Sequence, residues 1–244
     1  MNKIISLVVF SLFFTSACSN DAISKAIENE SVIPNKSSTK NLNVSERKAV
    51  IAANIPLTKD KLSVKNLPQN FIFVPLTRQA TDYTCGVGVL QSILMHYGDE
   101  FREDELAKEL KSDPNDGTLY SNIAKFSKSK GYKVQIFKNM TLDDLKKQIN
   151  NKKPVIVLLQ AWKETNADYA TDWDDGHYSI AIGYDEKRIY FMDPSTLGYY
   201  TYIPTEQFLD RWHDVDAVEK LHHFGMIIEK ASPKYNHNDV LKMD

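Results

Sequence analysis

Apolar and polar positions divide this chain into a short apolar start, a long polar stretch, and a segment whose hydrophobic period changes half-way along. Ile4 to Phe14 form a compact apolar run, and from Ser19 to about Leu67 Ser, Asn, Lys and Glu dominate with few aromatics. Patterned sequence begins at Phe71-Ile72-Phe73-Val74-Pro75, an entering strand or extended segment closed by proline. Val87, Leu90, Leu94 and Tyr97, with Ile93 beside them, lie on one helical stripe that Gly98 is placed to stop. Leu106, Ala107 and Leu110 mark a short helix after Phe101, and Asp116-Gly117-Thr118 turn into another that carries Ile123, Ala124 and Phe126 as far as Gly131. Tyr132 to Phe137 predict a strand. Thr141-Leu142-Asp143-Asp144 predict a capping box for a helix with Leu145 and Ile149, ended by Asn150-Asn151.

Beyond Lys153 the period shortens. Pro154 to Leu159 are continuously apolar, and His177 to Tyr184, Ile189 to Met192, Tyr199 to Ile203 and Phe224 to Ile228 each predict a strand, with a short helix over Thr205 to Trp212 before the last. Helices followed by strands argue an α+β fold with a largely antiparallel sheet.

Composition adds bounds. With 244 residues, 42% of them hydrophobic, the chain suits one domain of moderate size, and a net charge of −2 gives no electrostatic reason to expect nucleic acid. Lys3, the apolar run and the small residues Thr15-Ser16-Ala17 before Cys18 follow signal-peptide grammar. The triplet and its cysteine resemble the lipobox of bacterial lipoproteins, with Thr15 where leucine is usual, which implies lipidation at Cys18. The expected organisation is a lipoprotein signal peptide over 1–17, a flexible tether over 18–67 with helical patches at Ala22–Ile27 and Val44–Ala53, a folded domain over 68–230 and a disordered tail over 231–244. As a coil the tether would span roughly 40 Å. Ser19 after the anchor, by resemblance to lipoproteins of two-membraned hosts, implies the periplasmic face of the outer membrane.

The chain has 2 cysteines, so with Cys18 committed to an anchor, Cys85 is left without a disulfide partner in an oxidising compartment. It falls at the first turn of the Val87–Tyr97 helix, where unpaired N–H groups and the helix dipole favour thiolate. Along the predicted His177 strand, Tyr178, Ile180, Ile182 and Tyr184 share one face, while His177, Ser179, Ala181 and Gly183 share the other. This small-residue face offers a close seat for the helix bearing Gly86 and Gly88, which would carry Cys85 to His177. A base needs an orienting partner. Asp193 qualifies if a three-residue turn at Asp185-Glu186-Lys187 sets Ser179 opposite it; otherwise it only makes the turn before Pro194. Gln79, on the loop before the helix, is placed to donate to an oxyanion beside the Cys85 N–H.

Gln79-Ala80-Thr81-Asp82-Tyr83-Thr84-Cys85-Gly86, Gly176-His177-Tyr178, Gly183-Tyr184-Asp185 and Met192-Asp193-Pro194 together resemble cysteine-peptidase family thirty-nine, papain-like enzymes known for cutting bacteriocin leaders after a double glycine. The resemblance spans roughly Pro75 to Ile228. It implies a papain-like fold, a helical lobe with the nucleophile at a helix start packed on an antiparallel sheet carrying His and Asp. It also implies Cys85 as nucleophile, His177 as general base, Asp193 as its orienting partner, Gln79 as oxyanion donor, and a peptide or protein substrate without a cofactor. Leader peptidases of this type are usually fused to a transporter, so the double-glycine substrate does not carry over to a lipid-anchored domain. A non-catalytic peptide-binding module and an acyl transferase or amidase using the same thiol remain alternatives. The Asp-Cys-Ser-Gly pattern of wall-cutting cysteine amidases is absent from Thr84-Cys85-Gly86-Val87.

Asp172-Trp173-Asp174-Asp175 offers an acidic, aromatic rim for basic substrates, and Trp162, Tyr169 and Trp173 are candidate cleft aromatics. His96, His213, His222, His223 and His237 have no spacing that suggests a metal site.

Overall fold

The computed structural model describes residues 62–162 and 168–243. The chain divides into two units, residues 1–43 and 44–244, and every described residue belongs to the second. The signal segment, Cys18 and the tether as far as residue 61 lie outside the described residues.

A short 3-10 turn at Val64–Asn66 precedes five helices: α1 Cys85–His96, α2 Glu103–Glu109, α3 Tyr120–Ser129, α4 Leu142–Asn150 and α5 Thr205–Arg211. The strands are β1 Lys133–Phe137, β2 Val155–Gln160, β3 Gly176–Tyr184, β4 Arg188–Met192, β5 Thr201–Pro204, β6 His213–Asp216, β7 Glu219–His222 and β8 Gly225–Glu229. Six strands form one sheet in the order β1-β8-β2-β3-β4-β5, all of its pairings antiparallel, and β6 with β7 makes a separate hairpin. This is the α+β arrangement that the change of hydrophobic period predicts.

The local signals work as their chemistry dictates. Val87, Leu90, Ile93 and Leu94 are fully buried on α1. The helix ends in a Schellman motif: Gly98 N–H donates to Met95 O and Asp99 N–H to Leu94 O, both at 3.0 Å, with Gly98 at φ 86°. The Thr141–Asp144 capping box is formed in both directions, a device worth about 1 kcal/mol. Phe71 and Ile72 stay extended without joining the sheet ladder; Ile72 N–H donates to Ile182 O at 2.7 Å.

The structure adds one element and changes one turn. The β6–β7 hairpin has no counterpart in the sequence reading, because its four-residue strands mix polar and apolar positions and its tip, Ala217-Val218, lacks the usual Gly or Asn. Ala217 takes φ 54° regardless. After Lys230, Lys234 and Tyr235 donate their N–H groups to His96 O at 2.9 and 3.2 Å, and the His237 ring stacks on Phe73 at 3.6 Å. The β3–β4 connection is a two-residue one, Glu186-Lys187, closed by Asp185 N–H donating to Arg188 O at 3.0 Å, where a three-residue turn was expected.

Candidate active site

Cys85 opens α1 and His177 lies one residue into β3, and two glycines let the helix come close. A Cβ on Gly86 would stand 2.7 Å from Thr118 Cβ and 3.2 Å from the Tyr178 ring, and one on Gly88 would stand 2.8 Å from Pro194 Cβ. The helix therefore does not use the small-residue face of β3 as its seat. That face has another use. Leu159, His177, Ser179, Phe191, Asp193, Thr201 and Ile203 share it by register and floor a cleft of about 990 Å³, so the small Ser179 leaves room for a ligand.

Asp193 reaches His177 through a register shift. From the β3–β4 tip the pairs are Tyr184 with Ile189 and Gly183 with Tyr190; Ile182 is then an extra residue, and the pairs become Ala181 with Phe191 and Ile180 with Met192. The next position sets Asp193 opposite Ser179, on the His177 face. Without the bulge the short turn would set Asp193 opposite Ile180, on the other face. The carbonyl of Ile182 is taken by Ile72 N–H, and Phe71 packs where a Gly183 side chain would go, with its Cδ2 2.9 Å from a Cβ built there.

His177 Nε2–H donates to Asp193 Oδ1 at 2.7 Å, and the ring is 3% exposed. Nδ1 is buried with no nitrogen or oxygen partner, which leaves it as the ring nitrogen for the Cys85 sulfur, a group that interacts with the imidazole. Burial on its own would push His177 down, but the charge and hydrogen bond of Asp193, followed by Cys85, bring it up to about 9. Asp193 shifts the opposite way: burial raises it, and the charge and hydrogen bond of His177, the Ser195 N–H and the Thr196 hydroxyl outweigh burial and hold it at about 2. Asp193 accepts from Ser195 N at 3.0 Å and Thr196 Oγ1 at 2.7 Å. It thus makes the turn around Pro194 and orients His177 at once. The Asp-Pro-Ser-Thr run carries the signal for these two supports, which the sequence reading did not use.

Gln79 lines the same cleft as His177 and Asp193. Its backbone N–H donates to Pro194 O at 3.0 Å, its Nε2 donates to Thr81 O at 2.8 Å, and its Oε1 is buried without a partner. The Thr81 contact fixes the amide so that its second N–H remains for another acceptor. Trp162 lies edge-on to His177 at 4.6 Å between ring centroids and, with Tyr169, lines the cleft. Trp173 packs instead on His213 and His222, at 4.5 and 5.2 Å, and none of Asp172, Asp174 and Asp175 lines the cleft. Among the described residues no group of three or more His, Cys, Asp and Glu is arranged for a metal ion.

Sequence reasoning missed two carboxylates on β6, the buried Asp214 and the half-buried Asp216. Asp214 sits against the Cα of Gly176, where any side chain would collide with both of its oxygens, and accepts from Gln160 Nε2 at 3.1 Å and Val215 N at 2.8 Å. Burial, opposed by those bonds, pushes it up to about 7. Asp216 accepts from Tyr178 Oη at 3.1 Å and Tyr120 N at 2.8 Å, and burial raises it as well. The signal available was Gly176 itself, a glycine in a strand beside a candidate base, which marks a close approach by another group.

The geometry is that of a buried imidazole held between a carboxylate and a thiol at a helix start, an arrangement able to form and cleave a thioester. Among solved structures the chain is similar to the peptidase domain of Streptococcus ComA, a bi-functional ABC transporter involved in quorum sensing, at 21% identity and TM-score 0.48, covering 63% of this chain and 96% of that one. It is also similar to a double glycine motif protease from an AMS/PCAT transporter, solved with its leader peptide, at 18% identity and TM-score 0.46, covering 66% and 95%. A structure from Bacillus anthracis described as a C39-like peptidase gives 19% identity and TM-score 0.49, covering 71% and 99%. No curated protein matches the chain. Residues 71–219, the stretch from Phe71 to the first residue of β7, match the Peptidase_C39 like family, and with more than half its length in that match the chain belongs to this family of cysteine peptidases.

Proposed function

We propose that this protein hydrolyses a peptide bond with Cys85 as nucleophile, His177 as general base and acid, Asp193 as the orienting carboxylate and Gln79 as an oxyanion donor. The observation that carries the reading is the 2.7 Å bond from His177 Nε2 to Asp193, which commits one ring nitrogen and leaves Nδ1 for the thiol.

The Cys85 thiolate, favoured by the helix start and by a protonated His177, attacks the carbonyl carbon of the substrate. The oxyanion that forms accepts from the second N–H of Gln79 and from the Cys85 backbone N–H at the first position of the helix. His177 Nδ1–H gives its proton to the leaving nitrogen, the C–N bond breaks, and a thioester remains. Water then loses a proton to His177 as it adds to the thioester, and collapse of the adduct returns the thiolate and frees the carboxylic acid. Asp193 keeps its charge throughout and steadies the imidazolium. Membership of a peptidase family supports a peptide substrate. The cysteine after Ala17 supports display of the domain on a membrane surface through a lipid at Cys18.

Labelling with a thiol-reactive peptide acyloxymethyl ketone tests the centre. The native protein should be labelled at Cys85, Cys85→Ala should not, and His177→Ala should label at least ten-fold more slowly. Equal labelling of native protein and His177→Ala would overturn the assignment.

A further inference from the structure

The cleft beside His177 carries four charged side chains among its described lining residues: Arg78, Asp82, Asp193 and Arg211. Asp193 is engaged by His177, Ser195 and Thr196, and Arg78 and Asp82 are exposed. Arg211 differs from all three. It stands in the last turn of α5, its Nε is buried with no partner, and its Nη2 donates to the neutral Gln207 Oε1 at 3.0 Å. Its guanidinium lies over the Tyr169 ring, 3.8 Å from the centroid.

An arginine keeps its proton at any physiological pH, so burial cannot relieve this charge by neutralising it. Burial pulls its pKa down and Tyr169 offsets that only in part. The tyrosine face fixes the plane of the guanidinium; Nε is closed off, and Nη1 with the second N–H of Nη2 remain as donors, the end-on pair that takes a carboxylate with two parallel bonds. No carboxylate among the described residues pairs with it. Trp162, Tyr169, Tyr199 and Tyr202 line the same cleft and suit the apolar stem of a peptide side chain. The acidic run at 172–175, which would have favoured basic substrates, does not line this cleft.

We propose that Arg211 is a specificity-determining residue that binds a carboxylate of the substrate, either an acidic side chain or the carboxylate that ends a peptide chain. This inference rests on the reading of the cleft as the peptide-binding site, and it deepens that reading by naming a substrate class.

Equilibrium binding of three small probes to the native protein, measured by ligand-observed NMR, tests it. N-acetylglutamate α-amide carries only a side-chain carboxylate, N-acetylglutamine only a terminal one, and N-acetylglutamine amide neither. One of the two acids should bind roughly ten-fold or more tightly than the neutral amide, as a charge-assisted bidentate pair implies, and the acid that does so identifies the source of the carboxylate. The preference should vanish in Arg211→Gln, whose thermal unfolding is measured alongside. Equal binding of all three probes to the native protein overturns the proposal without recourse to a variant, as does a preference that survives Arg211→Gln in folded protein. None of these measurements uses the thiol, so an inert Cys85 would sink the peptidase reading and leave the carboxylate site standing, and the converse result would do the reverse.

Discussion

His177 and Asp193 share a sheet face because Ile182 is one residue too many for the β3–β4 ladder. Their 2.7 Å hydrogen bond couples a buried imidazole to a partly buried carboxylate and moves their protonation in opposite directions, His177 up to about 9 and Asp193 down to about 2. A raised histidine favours the folded, charged centre fully below its ordinary value near 6.5 and loses that contribution as pH rises through about 9. The alkaline limb of kcat/KM should accordingly lie near pH 9. In Asp193→Asn the hydrogen bond can persist while the charge is gone, so this limb should move acidward, toward the ordinary histidine range. A pH–rate profile, or NMR titration of the His177 ring, reads the shift; an unmoved limb would mean that Asp193 does not hold the imidazolium.

Losses at Cys85, His177 and Gln79 should be unequal. Cys85→Ala and His177→Ala should abolish turnover, because no thioester forms and the leaving nitrogen receives no proton. Gln79→Ala removes one of two oxyanion donors and should lower kcat by on the order of 10² to 10³ with KM little changed. If Gln79→Ala raises KM and leaves kcat intact, the side chain binds substrate and does not stabilise the oxyanion.

Gly176 has no room for a methyl group, since Asp214 holds both carboxylate oxygens against its Cα. Gly176→Ala should destabilise the fold by about 1–3 kcal/mol in urea titrations. The double variant Gly176→Ala, Asp214→Ala should recover part of that loss. Additive losses would place the strain elsewhere.

Asp214 also predicts a pH dependence of stability opposite in sign to that of Asp193. Its carboxyl is raised from 3.8 to about 7 in the folded chain. Its contribution is therefore complete below 3.8 and is lost as pH rises toward about 7. Asp214→Asn should be more stable than the native protein at pH 8, by an amount on the order of a few kcal/mol, and the gap should close toward pH 4. Parallel stability curves across that range would show that Asp214 is charged and well accommodated at all of them.

Lipidation at Cys18 predicts that the full chain partitions into the detergent phase of a Triton X-114 separation after expression in a bacterial host. Cys18→Ala should move it to the aqueous phase or leave it unprocessed. Recovery of the native chain in the aqueous phase would remove the anchor and the membrane display with it.

The sequence by itself determined what depends on neighbours along the chain. The stripe of Val87, Leu90 and Leu94, the Gly98 stop and the Thr141–Asp144 box are local, because a helix face and its caps are set within a few residues. Cys85 at a helix start, and His177 and Asp193 near the ends of neighbouring strands, were legible for the same reason. Tertiary structure decided which side chains meet. The bulge at Ile182, held by Ile72 from a distant segment, turns Asp193 onto the His177 face, and no turn propensity at Asp185–Lys187 contains that information. The small face of β3 could seat a helix or floor a cleft, and only the packing of α1 on Tyr178, Thr118 and Pro194 chose the cleft. Asp214 beneath Gly176 and Arg211 beside Tyr169 are long-range placements of unremarkable residues. A buried charge is defined by what surrounds it, and the surroundings exist only once the chain has folded.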